Sequence, residues 1–490
     1  MTSYQSQAGY YQPMRDSESY TPYQPPEYSQ KPQEGDQTFE QKFEVRPVYN
    51  DVWAAIAFLL DLLIFAGLSG FCINAYRNTK GFQDKGIYGH SSNDFSINTN
   101  TTILFAFVLV VAFGLALLYL VLARMFTKMF IWATGIFHVL LGLSFAGYYF
   151  ATRSYGAAIV LGIFAIFYGI AFVTWIPRIP FATQILQFTL DVSRFYKSMS
   201  FTAWFAVTLI SAYVKFDPET NNPGCKQTGS NCGKGSLIVV LVFLVFSAYW
   251  ITEVIKNLVH TTICGVYGAY YYGLNSPQGL PRHATLGSFQ RASTYSFGSV
   301  SFGSLIVSLI QLLRTLASIG EQDAQQQGST GLMIVFTLFR CLLGFIEGLV
   351  QYFNHYAYTQ VALYGKKYIQ AAKDTWSLIK SKGIDAIIND CLIDNVLTMG
   401  TVTIAYICAF LCYLYLKFTK PGYNTDDAFT PVIMAFGFLA GLQIGNTATV
   451  TIKSGTATLF VVIAEDPAVL RNSFPLIYER IMQRYPGFSM

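Results

Sequence analysis

The chain has 490 residues, 53% hydrophobic, 16% aromatic and only 12% charged, with a formal net charge of +5. Soluble domains carry about 25% charged residues, so a surface wholly solvated by water is excluded and lipid must solvate much of the protein. The charge balance is small, and no basic stripe with interleaved aromatics appears outside the loops, so nothing points to nucleic acid.

Residues 1–46 are rich in Tyr, Pro, Gln and Ser and almost devoid of aliphatic side chains. Such a segment cannot bury enough apolar surface to offset chain entropy, which predicts a disordered cytosolic tail. Within it Pro25, Pro26 and Tyr28 form a PPxY motif. That motif preforms a polyproline helix suited to the aromatic groove of a WW domain. A WW-domain ubiquitin ligase is the partner this suggests, with Lys31 and Lys42 as acceptors. No charged n-region followed by a short apolar core precedes the first apolar run, so no signal peptide is expected to be removed.

Ten apolar runs follow, at 52–76, 102–123, 129–150, 156–176, 199–214, 237–258, 296–317, 331–352, 395–416 and 430–449. About 20 residues of helix cross 30 Å of hydrocarbon, and a lipid-exposed backbone must satisfy its own hydrogen bonds. The fold class is therefore all-α, a polytopic membrane protein of about ten transmembrane helices. The predicted organisation is the tail over 1–46, a transmembrane domain over 47–455 that includes a cytosolic interfacial helix over 353–390, and a cytosolic segment over 456–490.

Asp61 lies in the middle of the first run. An ionisable residue inside a span is costly and hints at function, with structural pairing as the alternative. Asn100-Thr101-Thr102 before the second run is a glycosylation sequon, although a lone sequon also arises by chance. Cys225 and Cys232 share the polar loop PGCKQTGSNCGKG. They are either a disulfide in an oxidising compartment or two free thiols. GSNCGKG fails the phosphate-loop spacing by one residue and has Gly235 where Ser or Thr is needed.

The sixth run carries Trp250, Glu253 and Lys256, with Asn257 and His260 close behind, and leads into ICGVYGAYYYG with Tyr267. Clustered tyrosines build either a cage for a quaternary ammonium group or an interfacial belt. SFGSVSFGSLIVS in the seventh run supplies small residues for close helix packing or for a flexible point. Arg340 and Glu347 share the eighth run, seven residues apart on one helical face. That spacing is too long for direct pairing, and Arg340 is a candidate to neutralise a neighbouring carboxylate. Tyr356 follows in FNHYAYTQVALYGKKYIQAAKDTW, whose later part has helical periodicity and five lysines from Lys366 to Lys382. This predicts a helix along the inner membrane face, or one packed on another cytosolic loop.

Orientation follows from Lys and Arg. With a cytosolic N-terminus, 21 basic residues fall inside and 10 outside, counting Lys256 and Arg314 with the loops they border and leaving Arg340 within its span. Both termini are thus placed in the cytosol. Catalysis is not expected. The histidines at 90, 138, 260, 283 and 355 have no metal-ligand spacing, and neither a metal nor a cofactor is implied.

Four stretches carry a resemblance: ITEVIKNLVHTTICGVYGAYYY (251–272), STYSFGSVSFGSLIVSLIQLLR (293–314), FNHYAYTQVALYGKKYIQAAKDTW (353–376) and SGTATLFVVIAEDPAVL (454–470). Together with the number and spacing of the runs, they resemble the choline transporter-like family, most closely its fungal branch. The resemblance implies a multi-pass plasma-membrane transporter whose solute is a small organic cation, choline or ethanolamine-like. Trp250, Glu253, Tyr267, Glu347 and Tyr356 are the candidate solute contacts, as aromatic faces and carboxylates. The alternatives are a membrane scaffold or trafficking protein acting through its cytosolic tail, and an ion channel.

Overall fold

A computed structural model describes residues 48–78, 99–153, 155–176, 208, 212–213, 235–273, 283–382, 385–420, 430–475 and 477–479, with part of the side chains in the helices between 99 and 176 and near 381–392. Every described residue lies within Gly35–Met490. The PPxY motif at Pro25, Pro26 and Tyr28 and the Cys225 and Cys232 loop lie outside the described residues. So does most of the fifth predicted run, 199–214. Asn100 is the second residue of a helix, and its side chain is outside the description.

The described regular structure is helical. In chain order it comprises α1 (Val52–Asn78), α2 (Thr99–Met125), α3 (Thr127–Ala151), α4 (Tyr155–Trp175), α5 (Gly235–Gly273), α6 (Ala284–Ser293), α7 (Phe297–Gln326), α8 (Thr330–Tyr364), α9 (Tyr368–Lys382), α10 (Asp385–Thr419), α11 (Thr430–Glu465) and α12 (Pro467–Ser473). Among the described residues six helices are long and apolar enough to cross a membrane: α1, α5, α7, α8, α10 and α11. Predicted runs also coincide with α2, α3 and α4, which are 27, 25 and 21 residues long. Large apolar side chains stand exposed along these helices, for example Leu63 on α1 and Leu338 and Phe345 on α8. In water they would be a liability; against lipid they are the solvent-matched surface.

Five helices run on past the predicted span ends by nine residues or more, α7 among them, which continues from 317 to Gln326. α5 continues from 258 to Gly273, α8 from 352 to Tyr364 and α11 from 449 to Glu465, while α10 begins ten residues before 395. The polar stretch FNHYAYTQVALY is therefore the last part of α8, and the separate helix α9 begins only at Tyr368. The reason is burial. Asn354, Tyr358, Thr359 and Gln360 are all 2% exposed or less, and neighbouring helices supply their hydrogen bonds. A helix whose polar groups are satisfied by protein has no need to stop where the lipid-facing apolar residues stop. Gly365 ends α8 at φ 59 in the left-handed region, where the absence of a Cβ removes the steric cost.

Small residues set the helix spacing. Gly437, Gly441 and Gly445 recur every fourth residue along α11, the face that meets α10. An added Cβ at Gly441 would come 2.8 Å from the Ala405 Cα, and one at Gly445 would come 2.8 Å from Thr401 Cγ2. This is the small-xxx-small seam that lets membrane helices approach. In SFGSVSFGSLIVS the glycines serve packing: a Cβ at Gly298 would collide with the carbonyls of Asn50 and Asp51, and one at Gly303 with the rings of Tyr358 and Tyr368. The start of α1 is thereby stapled to α7 and α9. Asp51 accepts from Ser299 Oγ at 2.6 Å and from the Tyr368 amide at 2.9 Å, and Asn50 Nδ2 donates to the Gly365 carbonyl at 2.6 Å. Gly298→Val is expected to lower stability by about 1–3 kcal/mol through forced separation of α1 and α7. A drop in the thermal midpoint of the detergent-purified protein, larger than that of Gly287→Val in open space on α6, checks this.

Candidate functional site

Glu253, Asn257, His260 and Cys264 recur at helical spacing on α5 and form one buried face. The adjacent face, with Trp250, Ile251 and Val254, packs into an apolar cluster with Phe58, Phe65 and Leu244. The polar face turns toward α7, α8 and α11. Glu253 is 6% exposed, and its carboxylate accepts from Lys256 Nζ at 3.3 Å, Asn257 Nδ2 at 3.4 Å and Gln311 Nε2 at 3.3 Å. Gln311, on α7, also donates to Glu347 Oε1 of α8 at 3.1 Å. Glu347 is completed by Arg314 at 2.8 Å and Gln351 at 3.2 Å. One amide thus bridges two buried carboxylates, and each carboxylate has a cation partner whose side chain is about half exposed. Like charges in low dielectric are tolerated only with such compensation.

Below this bridge Asn257 Nδ2 donates to Ser304 Oγ at 2.9 Å, and Asn354 Nδ2 donates to the Gly303 carbonyl at 3.2 Å. Tyr368 of α9 donates its phenol proton to Asn354 Oδ1 at 2.6 Å. Burial pushes the Tyr368 phenol up to about 12, so it stays a neutral donor at cellular pH. His260 and His355 stack with ring centroids 3.9 Å apart. His260 Nε2 donates to the His355 carbonyl at 2.8 Å, and His355 Nε2 donates to the Lys453 carbonyl at 3.2 Å. His260 Nδ1 lies 2.7 Å from Ser454 Oγ. These bonds tie α5 and α8 to α11.

Between α5, α7, α8, α10 and α11 is a cavity of about 320 Å³. Glu253, Lys256 and Asn257 line it from α5, and Gln351, Tyr352, Asn354 and His355 from α8. Asp394 of α10 and Lys453 of α11 face it as an ion pair. The volume is at the small end of ligand pockets, which span about 300–1,000 Å³. Two carboxylates and two ammonium groups line it, so its fixed charge is balanced. Amide groups and one tyrosine complete a wall that can exchange hydrogen bonds with a small polar ion and give a cation an aromatic face.

The predicted residues are distributed unevenly around this cavity. Glu253 lines it. Glu347 is one hydrogen bond away, through Gln351, and is joined to Glu253 through Gln311. Tyr356 is buried behind Tyr352, the ring centroids being 5.3 Å apart. Trp250 turns toward α1, where its ring meets Phe58 at 5.4 Å, and its Nε1 donates to the Ser301 carbonyl at 3.1 Å. Tyr267 is 2% exposed and packs on Gly455 of α11. Its neighbours Tyr271 and Tyr272 donate to the carbonyl and carboxylate oxygens of Asp466 at 3.0 and 2.9 Å. These tyrosines build a buried core between α5 and the start of α12, neither a cage nor a belt.

Asp61 lies in the seam between α1 and α5, where Oδ1 accepts from Ser247 Oγ at 2.8 Å. Arg340 pairs with Glu321 of α7 at 3.1 Å, and Arg314 pairs with Glu347. The antiparallel α7 and α8 are therefore laced by two ion pairs two turns apart, so Arg340 and Glu347 share a face without touching. Glu321 falls in the segment read from sequence as an outside loop, which hid this partner.

Asp394, Lys453 and the histidine stack were not singled out from sequence. Asp394 and Lys453 sit one and four residues beyond the predicted ends of their runs, and the histidines are 95 residues apart. The sequence offered only a charge immediately flanking an apolar run, which an ordinary interfacial residue also gives. Among the described residues no group of three His, Cys, Asp or Glu side chains is arranged to hold a metal.

A family profile described as "Plasma-membrane choline transporter" matches residues 159–468, a stretch containing every residue that lines the cavity. "Protein PNS1" of Yarrowia lipolytica is 45% identical over 488 residues, 95% of this chain and 84% of that relative. "Protein pns1" of Aspergillus fumigatus is 46% identical over 476 residues, 94% of this chain and 88% of the relative. "Protein PNS1" of Candida albicans is 44% identical over 472 residues, 94% and 91% respectively.

Proposed function

This chain belongs to the plasma-membrane choline transporter family, together with its fungal relatives, and we propose that it carries choline, ethanolamine or a similar small organic cation across the plasma membrane through the cavity between α5, α8, α10 and α11. One observation carries the reading: a buried carboxylate, Glu253, forms part of the wall of a small-molecule-sized cavity within a bundle of membrane-spanning helices. The quaternary ammonium head of choline keeps its charge at every pH and has no N–H to donate. Its site must therefore supply negative charge and polarisable surface, which Glu253, Asp394 and the Tyr352 ring offer.

The arrangement we infer has ten spans with both termini in the cytosol, supported by the two-to-one excess of basic residues on the inner side. In that orientation α5 runs inward, and the cavity lies toward the cytosolic end of the pathway. The membrane potential then favours entry of a monovalent cation by about 2.3 kcal/mol per 100 mV.

Purified protein in proteoliposomes is expected to show saturable uptake of labelled choline or ethanolamine, faster with an inside-negative potassium diffusion potential than without it. Absence of saturable flux for both solutes under both conditions would overturn the assignment of this solute class.

A further inference from the structure

We propose that Asp394 is the counter-charge taken over by the solute cation, and that Lys453 is an internal stand-in occupying that place until the solute arrives. The inference rests on the transport reading above and assigns roles within that site.

The two carboxylates of the cavity differ in how they are held. Glu253 is buried and receives three side-chain nitrogens, from Lys256, Asn257 and Gln311. It has little freedom to change partner. Asp394 has a half-exposed side chain, and among the described residues its ion-pair partner is Lys453, across the seam from α10 to α11. Lysine is a compact charge on a flexible four-carbon stem, which makes this pair the exchangeable one.

Charge balance leads to the same place. With Glu253 paired to Lys256 and Asp394 paired to Lys453, an entering monocation finds no unbalanced negative charge. A cation placed beside two ammonium groups whose carboxylates are already paired meets repulsion with no attraction to offset it. The solute must therefore displace one lysine. Displacing Lys453 costs a single contact, and its ammonium group can swing toward water while the solute sits on Asp394.

The exchange has a path to the rest of the bundle. The Lys453 carbonyl accepts from His355, and Ser454 contacts His260, so the backbone that carries the lysine is bonded to the stacked histidines of α5 and α8. Departure of the side chain loosens the α10 to α11 clasp at the point where α11 is tied to the other two helices. That gives solute binding a differential interaction with two arrangements of the bundle, which any ligand-driven transition requires.

Full-length protein carrying Lys453→Met, Asp394→Asn or Asp394→Glu tests this through labelled choline binding in detergent and flux in proteoliposomes, each variant first checked for a wild-type elution profile and melting temperature. Removing the competing lysine is expected to tighten choline binding on the order of 10-fold, because Asp394 no longer has to be vacated. Asp394→Asn is expected to weaken it several-fold, up to about 10-fold, as befits a half-exposed charge, with Asp394→Glu recovering most of the loss. A neutral analogue, 3,3-dimethylbutanol, should compete equally well in the wild type and Asp394→Asn. If the wild type binds and moves choline while Lys453→Met and Asp394→Asn match it, the roles given to this pair are wrong and the transport reading survives. If neither the wild type nor Lys453→Met binds or moves choline or ethanolamine, the solute class itself fails, and this inference with it.

Discussion

Glu253→Gln is expected to lower kcat/KM for choline-type cations on the order of 100-fold, equivalent to about 2.7 kcal/mol, while the protein still folds. The substitution keeps size and shape. It removes the buried charge and turns an amide nitrogen toward a site already crowded with donors, namely Lys256, Asn257 and Gln311. Lys256 then has no carboxylate to offset it, so the cavity gains a net positive charge that opposes a cation. Initial rates of labelled choline uptake over a concentration series, set against the same protein's melting temperature, separate lost recognition from lost structure. Unchanged kcat/KM would remove Glu253 from the pathway. An equal loss for choline and for competition by an uncharged analogue would assign it a structural role instead.

The largest structural effect is expected at the α10 to α11 seam. Gly441→Leu should cost about 3 kcal/mol or more, since a Cβ there already comes 2.8 Å from the Ala405 backbone and 3.0 Å from Cys408. Backbone cannot move aside as a flexible side-chain end can, so α10 and α11 must part. This is the most extensive helix pair in the described bundle, and its separation would also pull Asp394 from Lys453. Loss of monodisperse protein after detergent extraction is expected for Gly441→Leu, with Gly441→Ala intermediate. The comparison substitution is Gly114→Leu on α2, a position open to added atoms. Equal yields for the two leucine variants would refute close α10 to α11 packing as the basis of this part of the fold.

The helical character of the chain and the positions of its greasy runs were legible because each reads as a long apolar stretch with few charges. The ends of the helices were not. Residues after Tyr352, Leu258 and Thr449 look polar enough to be loops, and only tertiary packing supplies the partners that keep Asn354, His260 and Ser454 in helix. Glu253 could be singled out because a carboxylate inside an apolar run stands out. Asp394 and Lys453 could not, since a charge beside a span is ordinarily an interfacial residue. Trp250 and Tyr267 show the converse: an aromatic that residue type alone offers as a solute contact is turned away when the neighbouring helix presents Ser301 or Gly455. The repeat Gly437, Gly441, Gly445 was a visible signal for a tight seam, readable from its four-residue spacing alone.

The most direct test is a cryo-electron microscopy map of the full-length protein saturated with choline, compared with one recorded without it. Added density is expected between Glu253, Tyr352 and Asp394, with the Lys453 ammonium group displaced from Asp394. Density elsewhere in the bundle, or identical maps from protein that demonstrably transports choline, would contradict the placement of the pathway in this cavity.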